Sequence, residues 1–306
     1  PHGLGLSTRG SAAATVTFTS FASDVDFNLL TATIEPGESQ VVEMPRMDVD
    51  GSTISDHSVR INSNRPIVAY QFNPLDFQAT YSDDSSLLIP AEMLGNEYFI
   101  LTYPTSPLEG MPDFMNPCNS FTNPECSPSA CDDGDAETTG DKCELAPDGS
   151  CACNGIPGAG GLQSQHGYFA VLAVEEGETN VSVRVTVNAD KPDSTTNELL
   201  QPGAYHSFTL QQGEVLNLQA DGSKMTTKTD LSGSHVTADK KVAVFAGHEE
   251  AVVQWEGQDC CCAEHLEEQL FPLDTWANAS LCVKAPPRGS GGQDPRRSQS
   301  RGSDAQ

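Results

Sequence analysis

The residues of this chain whose types and spacing could do chemistry are its cysteines and a run of aspartates. None of the ten cysteines precedes Cys118. Cys118, Cys126, Cys131, Cys143, Cys151 and Cys153 crowd one turn-rich stretch, and Cys260, Cys261, Cys262 and Cys282 follow later. Dense cysteine in such a setting reads as a disulfide framework in an oxidising compartment; many pairings are open and none is assigned. Cys260-Cys261-Cys262 with His265 offers soft metal ligands. Structural zinc sites, however, space their cysteines as C-x2–4-C, and on a strand Cys260 and Cys262 share a face that Cys261 opposes. Disulfides are therefore preferred to zinc there. Asp132, Asp133, Asp135 and Asp141 offer oxygen ligands for calcium, but not at EF-hand spacing, and a solvated acidic loop is the simpler reading.

Hydrolytic motifs are incomplete. Gly5-Leu-Ser-Thr-Arg-Gly10 places one residue too many after Ser7 for a nucleophile elbow. His248-Glu249-Glu250 lacks the second histidine of a zinc-protease helix. His248 is read as lying at a strand end, where a histidine is expected to be a surface or hydrogen-bonded residue. Neither a catalytic set nor a resident cofactor is indicated, and the chain is read as non-enzymatic. Asn180-Val-Ser182 and Asn278-Ala-Ser280 match the N-glycosylation acceptor.

The elements that would position these groups are strands. Thr15–Phe21 and Thr179–Val187 alternate apolar with polar residues, and turn signals recur about every ten residues, the pattern of a sandwich or barrel. The expected fold is all-β: two related antiparallel sandwich-like units with a cysteine-rich loop insertion. Residues 1–103 form the first unit, read as cut at its N-terminus. Residues 104–166 form the disulfide-held insertion, 167–283 a second unit cut at its C-terminus, and 284–306 a disordered, dispensable tail. No strand is assigned before Ala14. No apolar run is long enough to span a membrane. A formal net charge of −27 repels phosphate backbones and argues against nucleic acid as a partner.

Three words recur in one order. Asn62–Tyr70 parallels Thr237–Phe245, Pro36-Gly-Glu38 parallels Gln212-Gly-Glu214, and Ile89-Pro90 with Leu94-Gly95 parallels Phe271-Pro272 with Trp276-Ala277. The continuous apolar runs Ile67–Tyr70 and Val242–Phe245, opened by Pro66 and Lys241, suit central strands covered on both faces.

Val59–Asn73, Asp84–Pro90 with Leu94-Gly95, Asp230–His248 and Glu264–Trp276 resemble the N-terminal domain family of the IgGFc-binding protein, which also occurs in large secreted bacterial proteins, notably of myxobacteria. Cys131–Cys143 with Asp148–Cys153 is similar to cysteine-rich repeats of myxobacterial surface proteins. The resemblance implies a secreted or cell-surface binding or adhesion module with an extracellular protein or glycan ligand and no catalytic residues. The rival readings are a structural spacer of a large surface protein, or a protein that binds or degrades polysaccharide.

Overall fold

The structure, a computed structural model, describes residues 2–8, 11–25, 31–45, 47, 49, 51–73, 84–105, 138–145, 151–157, 166–194, 196, 198–221, 229–251 and 264–279; for 138–145 and 151–157 it gives the backbone alone. The chain separates into residues 1–274, which hold every strand found among the described residues, and residues 275–306.

Alternation of apolar and polar residues sets the strands. In order they are β1 (His2–Thr8), β2 (Ala14–Ser20), β3 (Thr31–Ile34), β4 (Ser39–Met44), β5 (Thr53–Ser55), β6 (Val59–Ser63), β7 (Ile67–Asn73), β8 (Asp84–Leu87) and β9 (Gly95–Phe99). There follow β10 (Thr138–Leu145), β11 (Cys151–Pro157), β12 (Gly167–Ala173), β13 (Thr179–Arg184), β14 (Ala189–Asp190), β15 (Leu199–Leu200), β16 (Tyr205–Leu210), β17 (Val215–Gln219), β18 (His235–Ala251) and β19 (Glu264–Gln269). All pairings are antiparallel, and no α-helix occurs among the described residues. The all-β expectation holds.

Seven of the first nine strands build two facing sheets, β4-β1-β7-β8 and β3-β2-β6. Between them lie Leu4, Leu6, Val16, Phe18, Ile34 and Val42, with Ile61 and Ile67 partly buried at the margin. The later strands are wired alike. β17-β12-β18-β19 forms one layer and β16-β13-β18 the other; the long strand β18 passes from one layer to the other and joins them in a single sheet. Phe169, Val171, Val181, Val183, Leu210, Leu216, Leu218, Val236 and Val244 fill that core.

Register matches as well as order. Leu6 faces Ala69 and Phe18 faces Ile61; correspondingly Val171 faces Val244 and Val183 faces Val236. Leu4 opposite Val42 answers Phe169 opposite Leu218, and Ala14 opposite Ile34 answers Thr179 opposite Leu210.

Two strands cross from the first set into the second. β5 extends the β17 edge, Leu216 facing Ile54. β9 extends the β18 edge, Val236 facing Tyr98. Glycine permits close approach where the sets meet: Gly213, at φ +87°, leaves room for the Phe21 ring that a Cβ would strike.

Several expectations need correction. His2–Thr8 is a strand, although none was assigned before Ala14; the alternating glycines of Gly-Leu-Gly-Leu weaken strand propensity while Leu4 and Leu6 still point inward. The run Ile67–Tyr70 is not covered on both faces. Val68 is 49% and Tyr70 43% exposed, whereas Ala243 and Val244 are buried. Ile89 and Leu94 pack over Ala243, and among the described residues nothing comparable lies over Val68. Lys241 does not open a strand, because β18 runs unbroken through Asp239-Lys-Lys241. Within the insertion, read as loop, the backbone of β10 and β11 pairs as a two-stranded ladder with Cys143 opposite Cys153.

Candidate functional site

Two constellations of polar and aromatic side chains stand out, one folded into the seam between the two sets of strands and one facing outward.

The seam is assembled by β7 and β8 on one side and β12, β18 and β19 on the other. Gly247 lets β19 lie close, since a Cβ there would collide with the Leu266 carbonyl. That closeness sets Glu267 against Tyr168, whose hydroxyl donates to Glu267 Oε2 at 2.9 Å. Gln71 Nε2 donates to Glu267 Oε1 at 2.6 Å, and the Glu267 amide donates to the Asp84 carboxylate. His265 Nε2 lies 3.1 Å from Asn73 Nδ2 and 3.3 Å from the Tyr168 hydroxyl, with its ring stacked on that of Tyr168. Burial pushes the Glu267 carboxyl up to about 7, and burial followed by the Glu267 charge pushes the Tyr168 phenol well up.

His248 is fully buried within β18, not at a strand end, and burial brings its pKa down to about 4. The Tyr103 ring meets it edge-on at 5.9 Å. Burial thus disfavours the charged form of both the His248 imidazole and the Glu267 carboxyl. Their hydrogen bonds run from element to element, so this constellation ties β7 and β8 to β12 and β19 as a structural cross-link.

The outward constellation lies on the four strands β16-β13-β18-β9. In β13, Thr179, Val181 and Val183 point into the core, so Asn180, Ser182 and Arg184 point out. Pairing aligns Tyr205, Arg184, His235 and Phe99 in one row across all four strands. The Arg184 guanidinium sits over the Tyr205 ring at 5.7 Å, and Phe99 stacks on His235 at 4.7 Å. His235 is held at both nitrogens, by the Tyr205 hydroxyl at 3.1 Å and by Glu97 at 2.9 Å. Tyr205 is 54% exposed and Leu101, just past Phe99, 72%. The rows below are polar: Ser207, Ser182, Thr237 and Glu97, then Thr209 and Asn180, the latter gripped by Asp239 through its amide and side chain. A flat face with an aromatic and cationic end and a hydroxyl-rich end has the chemistry of a recognition surface. Asn180 of the glycosylation triplet lies on it.

Of the residues singled out in the sequence, Asp132, Asp133, Asp135, Cys118, Cys126, Cys131, Cys260, Cys261, Cys262 and Cys282 lie outside the described residues, as does the tail from 284. Asp141 and Cys143 are placed as backbone in β10, and Cys151 and Cys153 in β11. Sequence reasoning missed a group formed by Asp24, Asp56 and His57, whose ligand atoms lie within 4.8 Å of one another. His57 bonds Asp24 at 3.1 Å, and Ser23 holds the Asp56 carboxyl below its usual range. It missed the outward row too. Alternation in Thr179–Arg184 announces which side chains point out, but the alignment of Tyr205, His235 and Phe99 depends on pairing across distant segments.

Comparison with known proteins adds the following. Residues 153–300 match the family model described as IgGFc binding protein. The chain is similar to the human IgGFc-binding protein, 27% identical over 259 residues, which is 84% of this chain and 3% of that relative. No solved structure matches. Among the described residues, no helix is long and apolar enough to cross a membrane.

Proposed function

We propose that this chain is a non-enzymatic binding module that works outside the cytoplasm, and that the face β16-β13-β18-β9 is its recognition surface for an extracellular protein or glycan. The row Tyr205–Arg184–His235–Phe99 carries the proposal. Its side chains are braced by one another, so little conformational entropy is lost on contact, and tyrosine and arginine dominate the energetics of interfaces. The likeness to a binding-protein family supports the same reading, as does the cysteine-rich stretch with its expected disulfides. An immunoglobulin Fc is the first candidate ligand, because the relative's name states that it binds one. A bacterial surface-protein setting belongs to the proposal through the likeness of the 131–153 insertion to myxobacterial repeats.

The test is surface plasmon resonance of the chain against IgG Fc, a mucin-type glycoprotein and a glycan panel. Saturable binding to at least one surface is expected. Arg184→Ala with Tyr205→Ala should weaken it at least about tenfold without lowering the melting temperature. Absence of binding throughout, or full binding by the double variant, would overturn the reading.

A further inference from the structure

The two sets of strands share wiring and register, but they differ at one edge and on one face. In the second set, the segment Leu88–Ile100 supplies both. Its turn lays Ile89 and Leu94 over Ala243, with Leu172, Val174 and Phe245 packed around them. β9 then pairs with β18, placing Tyr98 at 0% exposure, its hydroxyl donating to the Val242 carbonyl at 2.7 Å. The Ile100 amide closes the edge on the Ser234 carbonyl at 2.9 Å.

Among the described residues nothing fills the corresponding places in the first set. Register equates Ile61 with Val236 and Ala69 with Val244. Val59 thus answers Ser234, and Val68 and Tyr70 answer Ala243 and Phe245. Among the described residues β6 pairs with β2 alone. The Ser58 carbonyl and the Asn64 amide bond toward β2, so by alternation the amides and carbonyls of Val59, Ile61 and Ser63 point away from it. Val236 is fully buried, whereas Ile61 is only partly so. The neighbouring face shows the same deficit. Val41, Gly5, Tyr70 and Leu87 form one row across β4-β1-β7-β8, with Val41 57%, Tyr70 43% and Leu87 40% exposed, and Val68 is 49% exposed beside them.

Edge strands of stable proteins are commonly guarded by charge. Arg60 is the charge on β6, and its guanidinium is turned aside, donating to the Val174 carbonyl at 2.7 Å and lying over the Phe21 ring.

We propose that the outer edge of β6 and the apolar row beside it are a docking site for another copy of this same unit, which contributes a turn and strand of the Leu88–Ile100 type. The incoming turn covers Val68 and Tyr70, and the strand adds antiparallel to β6 with its tyrosine opposite Ile61. Units then join in series, each completing the next by β-strand addition, as the first set completes the second here. This site is separate from the face β16-β13-β18-β9 and does not depend on its ligand.

The test is hydrogen exchange on the full chain with a synthetic peptide of residues 88–100 at increasing concentration. The Val59 and Ile61 amides should exchange at least about fivefold more slowly at saturation, while the Arg60 amide, already turned toward β2, should not change. Val68→Glu with Tyr70→Glu, both exposed and so compatible with folding, should weaken the peptide at least about tenfold. The proposal is overturned if saturating peptide leaves Val59 and Ile61 unprotected. Protection confined to residues 235–242 would overturn it as well, since the peptide would then merely be replacing the chain's own β9. Undiminished binding to the double glutamate variant would remove the apolar row from the site.

Discussion

The hydroxyl of Tyr98 donates to the carbonyl of Val242 at 2.7 Å across 144 residues of chain, and the ring that carries it is fully buried. The Gly95 amide in turn donates to the same hydroxyl at 3.0 Å. One side chain thus fastens β9, from the first set of strands, into the core of the second.

Tyr98→Phe should therefore destabilise the fold by about 1–3 kcal/mol, the cost of leaving buried polar partners unsatisfied. Tyr98→Ala should cost about 3–5 kcal/mol, because a cavity is added. Urea denaturation of the two variants checks both the order and the size.

Val244 and Val68 should respond differently to charge. Val244 is enclosed on both sides, and an aspartate there is buried without a partner, so Val244→Asp should abolish soluble folding. Val68 faces outward, and Val68→Asp should shift the melting temperature by no more than about 2 °C. Equal damage from both changes would contradict the one-sided burial of β7.

Opposite pH dependences are built into the seam. The Glu267 carboxyl is raised from 4.5 to about 7, so the folded state holds its proton more tightly than the unfolded chain. That stabilisation is complete below pH 4.5 and is lost as pH rises through 7. His248 is lowered from 6.5 to about 4, so its contribution is complete above pH 6.5 and is lost as pH falls toward 4. Glu267→Gln removes the first effect. Its stability relative to the parent should rise between pH 4.5 and 7 and level off above, as read by denaturant unfolding at a series of pH values.

The ladder β10–β11 sets Cys143 directly opposite Cys153. Cross-strand neighbours lie within the Cα separation that a disulfide spans. Non-reducing peptide mapping of the protein produced in an oxidising compartment should recover a Cys143–Cys153 linkage; free thiols at both positions would refute it.

How much of this could be read along the chain varies with the residue. Thr179–Arg184 reveals its inner and outer faces by alternation alone, and β13 is found there with Val181 and Val183 inside. The words shared by Asn62–Tyr70 and Thr237–Phe245 fall at the same register in the two sets of strands. β1 escaped because its glycines lack the β-branched signature on which strand assignment rests. β5 escaped because a strand of three residues, Thr53–Ser55, is too short to show a period.

By itself the sequence determined the fold class and the inward and outward faces of the longer strands, because both are carried by local alternation and turn chemistry. Only the tertiary structure decided that the similar runs Ile67–Tyr70 and Val242–Phe245 are not equally buried, that His248 is neutral and enclosed, and that Tyr205, Arg184, His235 and Phe99 stand in one row. Burial and alignment depend on which distant segment comes to lie alongside. Here that choice is made by Ile89, Leu94 and β9, which cover the second run and leave the first open.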